Sequence, residues 1–384
     1  MGPFTTSSVI PLAAAVAAAY CIIGLQKQNG LFDMLNTLAE EHPTRLPDSD
    51  VDGALIDVGD SGFGKFLLVL VRFFYPIMTG ESPRLSLFSF WFAGQVISMH
   101  TLLVLEGLRE GNRGRMISYT VIWGVLYQLV PFGVTISIWV AVWMWTSPIA
   151  KLSAATPQPV LRKALGIGNA DLSVVIHSIV WGFVIPTVLL GLPSSSPQIT
   201  QRYIIIWQFF PIYVSFARFV FSNALQFLGV DNSVPAPPPA DPKKPGPSLT
   251  KRLRAVYFPA LVMTAAVHTL TLMWVFFPDM RPAMLEGASI DFVDVFKPTS
   301  RPGYVVPIST AADGVLNLLH YDMYFGGAAV LYWAAQMYWA STNAPSMASV
   351  LTVLVGPGGA ALALVWRRDE QLLVDLPEAS KKDD

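Results

Sequence analysis

The sequence predicts an all-α fold, a polytopic transmembrane helical bundle with about eight or nine spans. Three observations carry that expectation. Of 384 residues, 53% are hydrophobic and 13% charged, where ordinary soluble domains carry roughly 25% charge. Mean hydropathy is +0.49. Apolar runs of about 20 residues, enough to cross a hydrocarbon core of about 30 Å, recur along the chain. The formal net charge of −1 gives no case for nucleic-acid binding. A single cysteine, Cys21, excludes a disulfide framework and a cysteine metal site.

The first apolar run, from about Val9 to Leu25, has no positive region before it, so residues 1–25 read as a retained first span and not as a cleaved signal peptide. Gly2 and Thr6 fit the minimal myristoylation pattern, which the adjacent span makes redundant. Residues 26–62 form an acidic hydrophilic loop (Asp33, Glu40, Glu41, Asp48, Asp50, Asp52, Asp57, Asp60) that reads as solvated. Residues 63–79 are apolar but carry Lys65 and Arg72 on one helical face. They form either an interfacial helix with snorkelling cations or a short span. Clearer spans follow at about 85–108, 118–145, 172–193, 203–222, 255–277, 315–340 and 346–366.

Residues 63–366 thus make up a single transmembrane helical domain. It contains a proline-rich loop, 234–248, that reads as an extended linker, and residues 367–384 form a charged C-terminal tail. No internal repeat and no pair of broken helices is legible, which argues against an inverted-repeat transporter. The basic clusters (Arg109, Arg113 and Arg115; Lys243 to Arg254; Arg367 and Arg368) leave orientation open, because whether residues 63–79 cross decides which of them share a side.

Ionisable groups inside the spans are few. Glu106 lies just inside the end of its span, where an acid costs up to about 2.5–3.5 kcal/mol at the bilayer centre and less near the interface. Arg109, three residues on, can pair with it. One reading is an ion pair capping the span; the other is a polar cavity floor to which Glu110, Asn112 and Arg113 add. Gln95, Met99, Leu102 and Leu103 share the Glu106 face, while His100 points elsewhere. The second centre is LNLLHYDMYFGGAAVLYWAAQMYW, with Asn317, His320 and Asp322 inside an aromatic run. Phe325, Ala329, Trp333 and Gln336 follow Asp322 on its face. Desolvation there favours a neutral carboxyl, a competent acid; the structural alternative is a hydrogen bond between helices. His320 sits about 200° round the helix from Asp322, in the company of Asn317, Tyr321 and Tyr324. His177 and His268 read as core hydrogen-bonding groups. Arg218 is a counter-ion for Asp322 or Glu106, or merely snorkels. Tryptophans and tyrosines through the spans, Trp123, Trp139, Trp143 and Trp333 among them, offer ring faces worth roughly 0.5–2 kcal/mol each to a cation.

No DDxxD, NDxxD or DxDD motif is present, and Asp291 with Asp294 is a lone DxxD in a connecting segment. Walker A, GxGxxG, GxSxG and HExxH are absent too. No cofactor, metal or nucleic-acid partner is therefore expected, and the residues point to acid chemistry in an apolar, aromatic interior.

Glu106 in LLVLEGLREGNRG together with Asp322 in LNLLHYDMYFG resembles the fungal membrane-bound terpene cyclases of meroterpenoid biosynthesis, of the ascochlorin and ascofuranone type, over about residues 60–366. In smaller cyclases of about seven spans, an early Glu and a late Asp are implicated in protonating a terminal epoxide; this chain adds a first span and long loops. The resemblance implies catalytic roles for Asp322 and Glu106, a lipophilic epoxy-prenyl substrate, and isomerisation without a cofactor. Arg109, Asn112, His100, Arg218, Asn317, His320, Tyr324 and Trp333 are the expected supporting or substrate-binding residues. The protein is expected to be multi-pass, in contact with membrane lipids, in the endoplasmic reticulum. A proton-coupled or solute transporter, or a sterol-isomerase-like lipid-binding protein, would use the same intramembrane acids.

Overall fold

A computed structural model describes residues 6–49, 53–59, 61–194, 196–234, 248–338 and 343–373. Asp50, Asp52 and Asp60 of the acidic loop, residues 235–247 of the proline-rich loop and residues 374–384 of the tail lie outside them. Among the described residues every element is helical, and one isolated bridge joins Arg301 and Tyr304. In order these are α1 (Thr6–Ala19), α2 (Leu25–Gln28), α3 (Leu31–Glu41), α4 (Gly62–Met78), α5 (Pro83–Leu108), α6 (Thr120–Leu129), α7 (Phe132–Thr146) and α8 (Gln158–Leu165). There follow α9 (Asn169–Ile179), α10 (Ile185–Gly191), α11 (Pro197–Trp207), α12 (Phe210–Phe227), α13 (Leu249–Phe276), α14 (Phe292–Phe296), α15 (Ala311–Tyr338) and α16 (Ala344–Leu372). Single π turns join α1 to α2 and α9 to α10. Starts follow local chemistry: Ser61, Ser196, Ser248 and Asp291 cap α4, α11, α13 and α14, each accepting a backbone N–H of the first turn.

Among the described residues, five helical segments are long and apolar enough to cross a membrane, or six if α11 and α12, bent by 58°, count as one. The expected eight or nine spans are not confirmed, α4 and α15 not qualifying, and two breaks shape the chain: one divides residues 118–145 into the shorter α6 and α7, and the other lies inside α16, which still counts among the five. Both are visible against α5 and α15, which run parallel. Arg84 and Asp313 pair where these two helices begin, and Arg368 reaches Glu106 near the end of α5 at 3.2 Å.

The expected span 118–145 is a hairpin. Thr120 packs against Gly107, and at the other end of the hairpin Trp143 Nε1 donates to Glu106 Oε2 at 3.0 Å. Both ends therefore lie at the Glu106 end of α5. The turn lies beside Phe92, whose ring centroid is 5.7 Å from that of Phe132, about 21 Å along α5 from Glu106. Pro131 causes the break: it keeps Val130 extended (φ −119°, ψ 136°), and the helix restarts in the opposite direction.

The expected span 346–366 also folds back. Gly356 adopts φ 76°, ψ 170° inside α16, a backbone that only glycine takes without strain, and Pro357 follows it. Ser346 and Glu370 would be about 36 Å apart on a straight helix, yet they line one groove of about 640 Å³ with Met347, Trp366 and Arg367. Tyr338, at the end of α15, accepts from Arg367 Nε at 3.0 Å, so both arms of α16 return to the Glu106 end. The break is buried, as broken backbone at membrane depth must be, and Gly358 N donates to Gln95 Oε1 at 3.0 Å. Thus the chain does contain a pair of broken helices, contrary to the sequence reading.

At the opposite end, the acidic loop is partly structural. Asp48 accepts from the N–H groups of Ala311 and Ala312 at 2.9 and 3.0 Å and so caps α15. Arg72 of α4 is buried and donates to the Pro43 carbonyl at 2.8 Å, turned into this loop instead of snorkelling.

Candidate active site

The fold puts a polar centre at each end of α7. At the first, Glu106 and Arg109 are both fully buried and bonded through Arg109 Nε at 2.7 Å. Arg109 Nη2 continues to Asp369 Oδ2 at 2.6 Å and to Tyr257 Oη at 3.1 Å, and Nη1 donates to the Leu165 carbonyl at 3.0 Å. Tyr257 Oη donates to Asp369 Oδ2 at 2.7 Å. Arg368 closes the ring, with Nη2 2.6 Å from Asp369 Oδ1 and 3.2 Å from Glu106 Oε1. Two carboxylates and two guanidinium groups thus cancel in formal charge, the condition under which buried charges are tolerated.

Glu106 has no capacity to spare. Oε1 accepts from Arg109 and Arg368, and Oε2 accepts from Trp143 Nε1 at 3.0 Å and Asn112 Nδ2 at 3.3 Å. A carboxylate offers about four acceptor positions, and all are taken. Asn112 is itself fixed by Ser147 Oγ, which donates to its Oδ1 at 2.6 Å.

At the second centre, Asp322 of α15 meets the N-terminus of α7. Its Oδ1 accepts from Gly133 N at 2.8 Å, and the N–H of Phe132 also bonds to the carboxyl. Gly133 permits the approach, since a Cβ there would lie 2.7 Å from the Asp322 carbonyl oxygen; Gly326 serves in the same way against the Phe132 ring. No ion pair reaches Asp322 among the described residues, whereas Glu106 has two. Asp322 retains 8% exposure and Glu106 none.

Gly133 and Trp143 are separated by about 15 Å of helix, so the two acids do not share a hydrogen-bonding centre. Between their levels stands a column of tryptophans. Trp333 of α15 meets Trp139 at 5.4 Å and Trp143 at 5.2 Å between centroids, edge to face in both pairs. All three rings are buried.

The remaining expected residues divide. Arg109 and Asn112 join Glu106, and Trp333 joins the column. His100 shares a 2.8 Å hydrogen bond through Nδ1 with Tyr127 Oη, and its ring packs on Phe210. Arg218 approaches neither acid: it pairs with Asp171 of α9 at 2.9 Å, half-buried. Asn317, His320 and Tyr324 bind the preceding segment. Asn317 Oδ1 accepts from Ser300 N at 3.0 Å, His320 Nε2 donates to the Val295 carbonyl at 2.7 Å, and Tyr324 donates to the Phe296 carbonyl. They anchor α14 and its flanks and do not reach the Asp322 carboxyl. His268 bridges Trp91 and the Val353 carbonyl in the core, but His177 is exposed and bonds only within its own helix.

Sequence reading missed Tyr257, Arg368 and Asp369. The last two were assigned to a charged tail, yet they are buried within α16. One signal was available: Leu364, Arg368 and Leu372 fall on one helical face, which extends the apolar stripe through the arginine. Among the described residues, no group of three or more His, Cys, Asp or Glu side chains could hold a metal ion.

Comparison with known proteins agrees in kind. The terpene cyclase AscI of Acremonium egyptiacum is 27% identical over 97% of this chain and 92% of its own length. The terpene cyclase CtvD of Aspergillus terreus is 24% identical over 95% of this chain and 99% of its own. The terpene cyclase PenA of Penicillium crustosum is 26% identical over 92% of both. No solved structure matches. The CtvD domain model matches residues 6–373, nearly the whole chain, and the chain belongs to the CtvD family of terpene cyclases.

Proposed function

We propose that this protein is an integral membrane cyclase that protonates the terminal epoxide of a farnesylated aromatic substrate and closes the prenyl chain through carbocations, with Asp322 as the acid. The observation that carries this assignment is the contrast in partners: the Glu106 oxygens are filled by four donors, while Asp322 is met by backbone N–H groups and by no cation among the described residues.

The N-terminus of α7 supplies the driving electrostatics. As the proton leaves Asp322 for the epoxide oxygen, negative charge grows on its carboxylate. The N–H groups of Phe132 and Gly133 already point there, at the positive end of a helix dipole. The epoxide C–O bond breaks toward its more substituted carbon, and the neighbouring alkenes attack the cation in turn. Loss of a proton, or capture by a hydroxyl that then loses its proton, ends the cascade, so the product is an isomer of the substrate. Trp139, Trp333 and Trp143 present ring faces beyond Asp322 that stabilise cationic charge without quenching it. Glu106 acts at a distance, as a positioning residue that fixes the Trp143 indole. The site lies within a multi-pass protein of the endoplasmic reticulum membrane.

Mass spectrometry of microsomes carrying the protein, supplied with an epoxyfarnesyl phenol or its non-epoxidised parent, tests the reading. The epoxide is expected to give a new product of unchanged mass and the parent none. Consumption of the parent, or of neither compound, would overturn it.

A further inference from the structure

The tryptophan column holds two buried donors without acceptors. Trp139 Nε1 and Trp333 Nε1 have no hydrogen-bond partner, although their residues are 2% and 0% exposed. Their rings touch, at 5.4 Å between centroids. Trp143, the third ring of the column, is satisfied by Glu106. Buried indole N–H groups ordinarily find an acceptor, and leaving one unpaired costs about as much as a broken hydrogen bond.

We infer that Trp139 and Trp333 form a binding site for oxygen acceptors, of the carbonyl or phenol type, on the non-isoprenoid end of the substrate. The inference rests on the proposed cyclisation for its ligand and adds which residues recognise which end. Its geometry follows from α7. Trp139 stands about 9 Å further along that helix than Gly133, which is bonded to Asp322. A sesquiterpenoid chain folded for ring closure bridges an interval of that order, so the epoxide lies at Asp322 while the oxygenated ring lies at the indoles. Glu106 then acts on this site through Trp143, whose ring abuts Trp333 at 5.2 Å, and orients the donor pair. An aromatic ring without oxygen substituents would leave both donors unpaired, and the site discriminates against it.

The test compares wild type with Trp139→Phe and Trp333→Phe in detergent. The probe is farnesyl phenol, which lacks the epoxide and is not turned over, set against the matching farnesyl benzene. Each substitution is expected to weaken phenol binding about tenfold, the worth of one buried hydrogen bond, and to leave benzene binding unchanged. In turnover of the epoxides the same loss is expected in KM, while kcat also falls because the indole face that stabilises the cation is replaced by a phenyl ring. Equal weakening for both probes would mean that the indoles only pack, each N–H resting on a neighbouring ring face, and would overturn the inference, as would unchanged binding of both. If a phenylalanine variant does not fold, benzothienylalanine at the same position keeps both rings and removes only the N–H, with the same expectations for binding. Because the binding arm needs no reaction, loss of discrimination there with an inactive wild type would strike the cyclisation reading and leave this one standing.

Discussion

Replacing Arg368 with Leu is expected to destabilise the protein severely, and the structure gives the size. Arg368 Nη2 serves Glu106 at 3.2 Å and Asp369 at 2.6 Å, and its Nε serves Asp369 at 2.8 Å. Without it the cluster holds two carboxylates and one guanidinium group, an unbalanced charge at 3% exposure or less. Removing one partner of a buried ion pair costs about 3–5 kcal/mol. At roughly 2 °C per kcal/mol for a large domain, the melting temperature in detergent should fall by roughly 6–10 °C. Glu106→Gln with Arg368→Leu restores the formal balance between Arg109 and Asp369. The double variant should therefore melt above Arg368→Leu alone, with a coupling of about 1–3 kcal/mol. Thermal unfolding followed by size-exclusion chromatography measures both. A single variant within 2 °C of wild type, or simple additivity, would refute the view that the cluster is one charge-balanced unit.

Other expectations follow from the same geometry. Arg218→Ala removes a half-buried pair with Asp171 and should cost about 1 kcal/mol or less, read as a melting shift far smaller than that of Arg368→Leu. Gly326→Val places a branched side chain where a Cβ alone would lie 2.4 Å from the Phe132 ring; overpacking of this kind costs typically 1–3 kcal/mol and should displace the α7 tip from Asp322, so that product formation falls more than melting temperature.

Much of the helical content and both acids were legible in the sequence, because apolar periodicity and an isolated intramembrane charge are local signals. Glu106 with Arg109 and Asn112 could be read from three-residue and six-residue spacing on one helix end. The hairpins could not. Residues 118–145 and 346–366 have the length and hydropathy of single spans, and only the contacts of their ends, Thr120 with Gly107 and Tyr338 with Arg367, reveal that each turns back. Pro131 and the Gly356–Pro357 pair were the visible hints, but proline also occurs in uninterrupted helices here, as Pro259 does in α13. The turning back of α16 is what hid Arg368 and Asp369: apart from each other, the cluster partners Glu106, Arg109 and Tyr257 are more than a hundred residues away, and a basic pair near the chain end reads as a tail. Arg218 failed in the opposite sense, since its acid, Asp171, sits at the start of another helix. The separation of Glu106 and Asp322 followed from the same topology, because the helix that joins them, α7, was read as the second half of a longer one.

The central claim is that Asp322 is the acid. The most direct test is the rate of product formation from an epoxyfarnesyl phenol by microsomes carrying Asp322→Asn or Glu106→Gln, with wild type as reference. Asparagine can still accept the Gly133 N–H, so the α7 tip is kept while the acidic proton is lost. The account predicts no product from Asp322→Asn at normal melting temperature, and reduced but measurable product from Glu106→Gln. Product from Asp322→Asn at a rate near wild type, with none from folded Glu106→Gln, would contradict it.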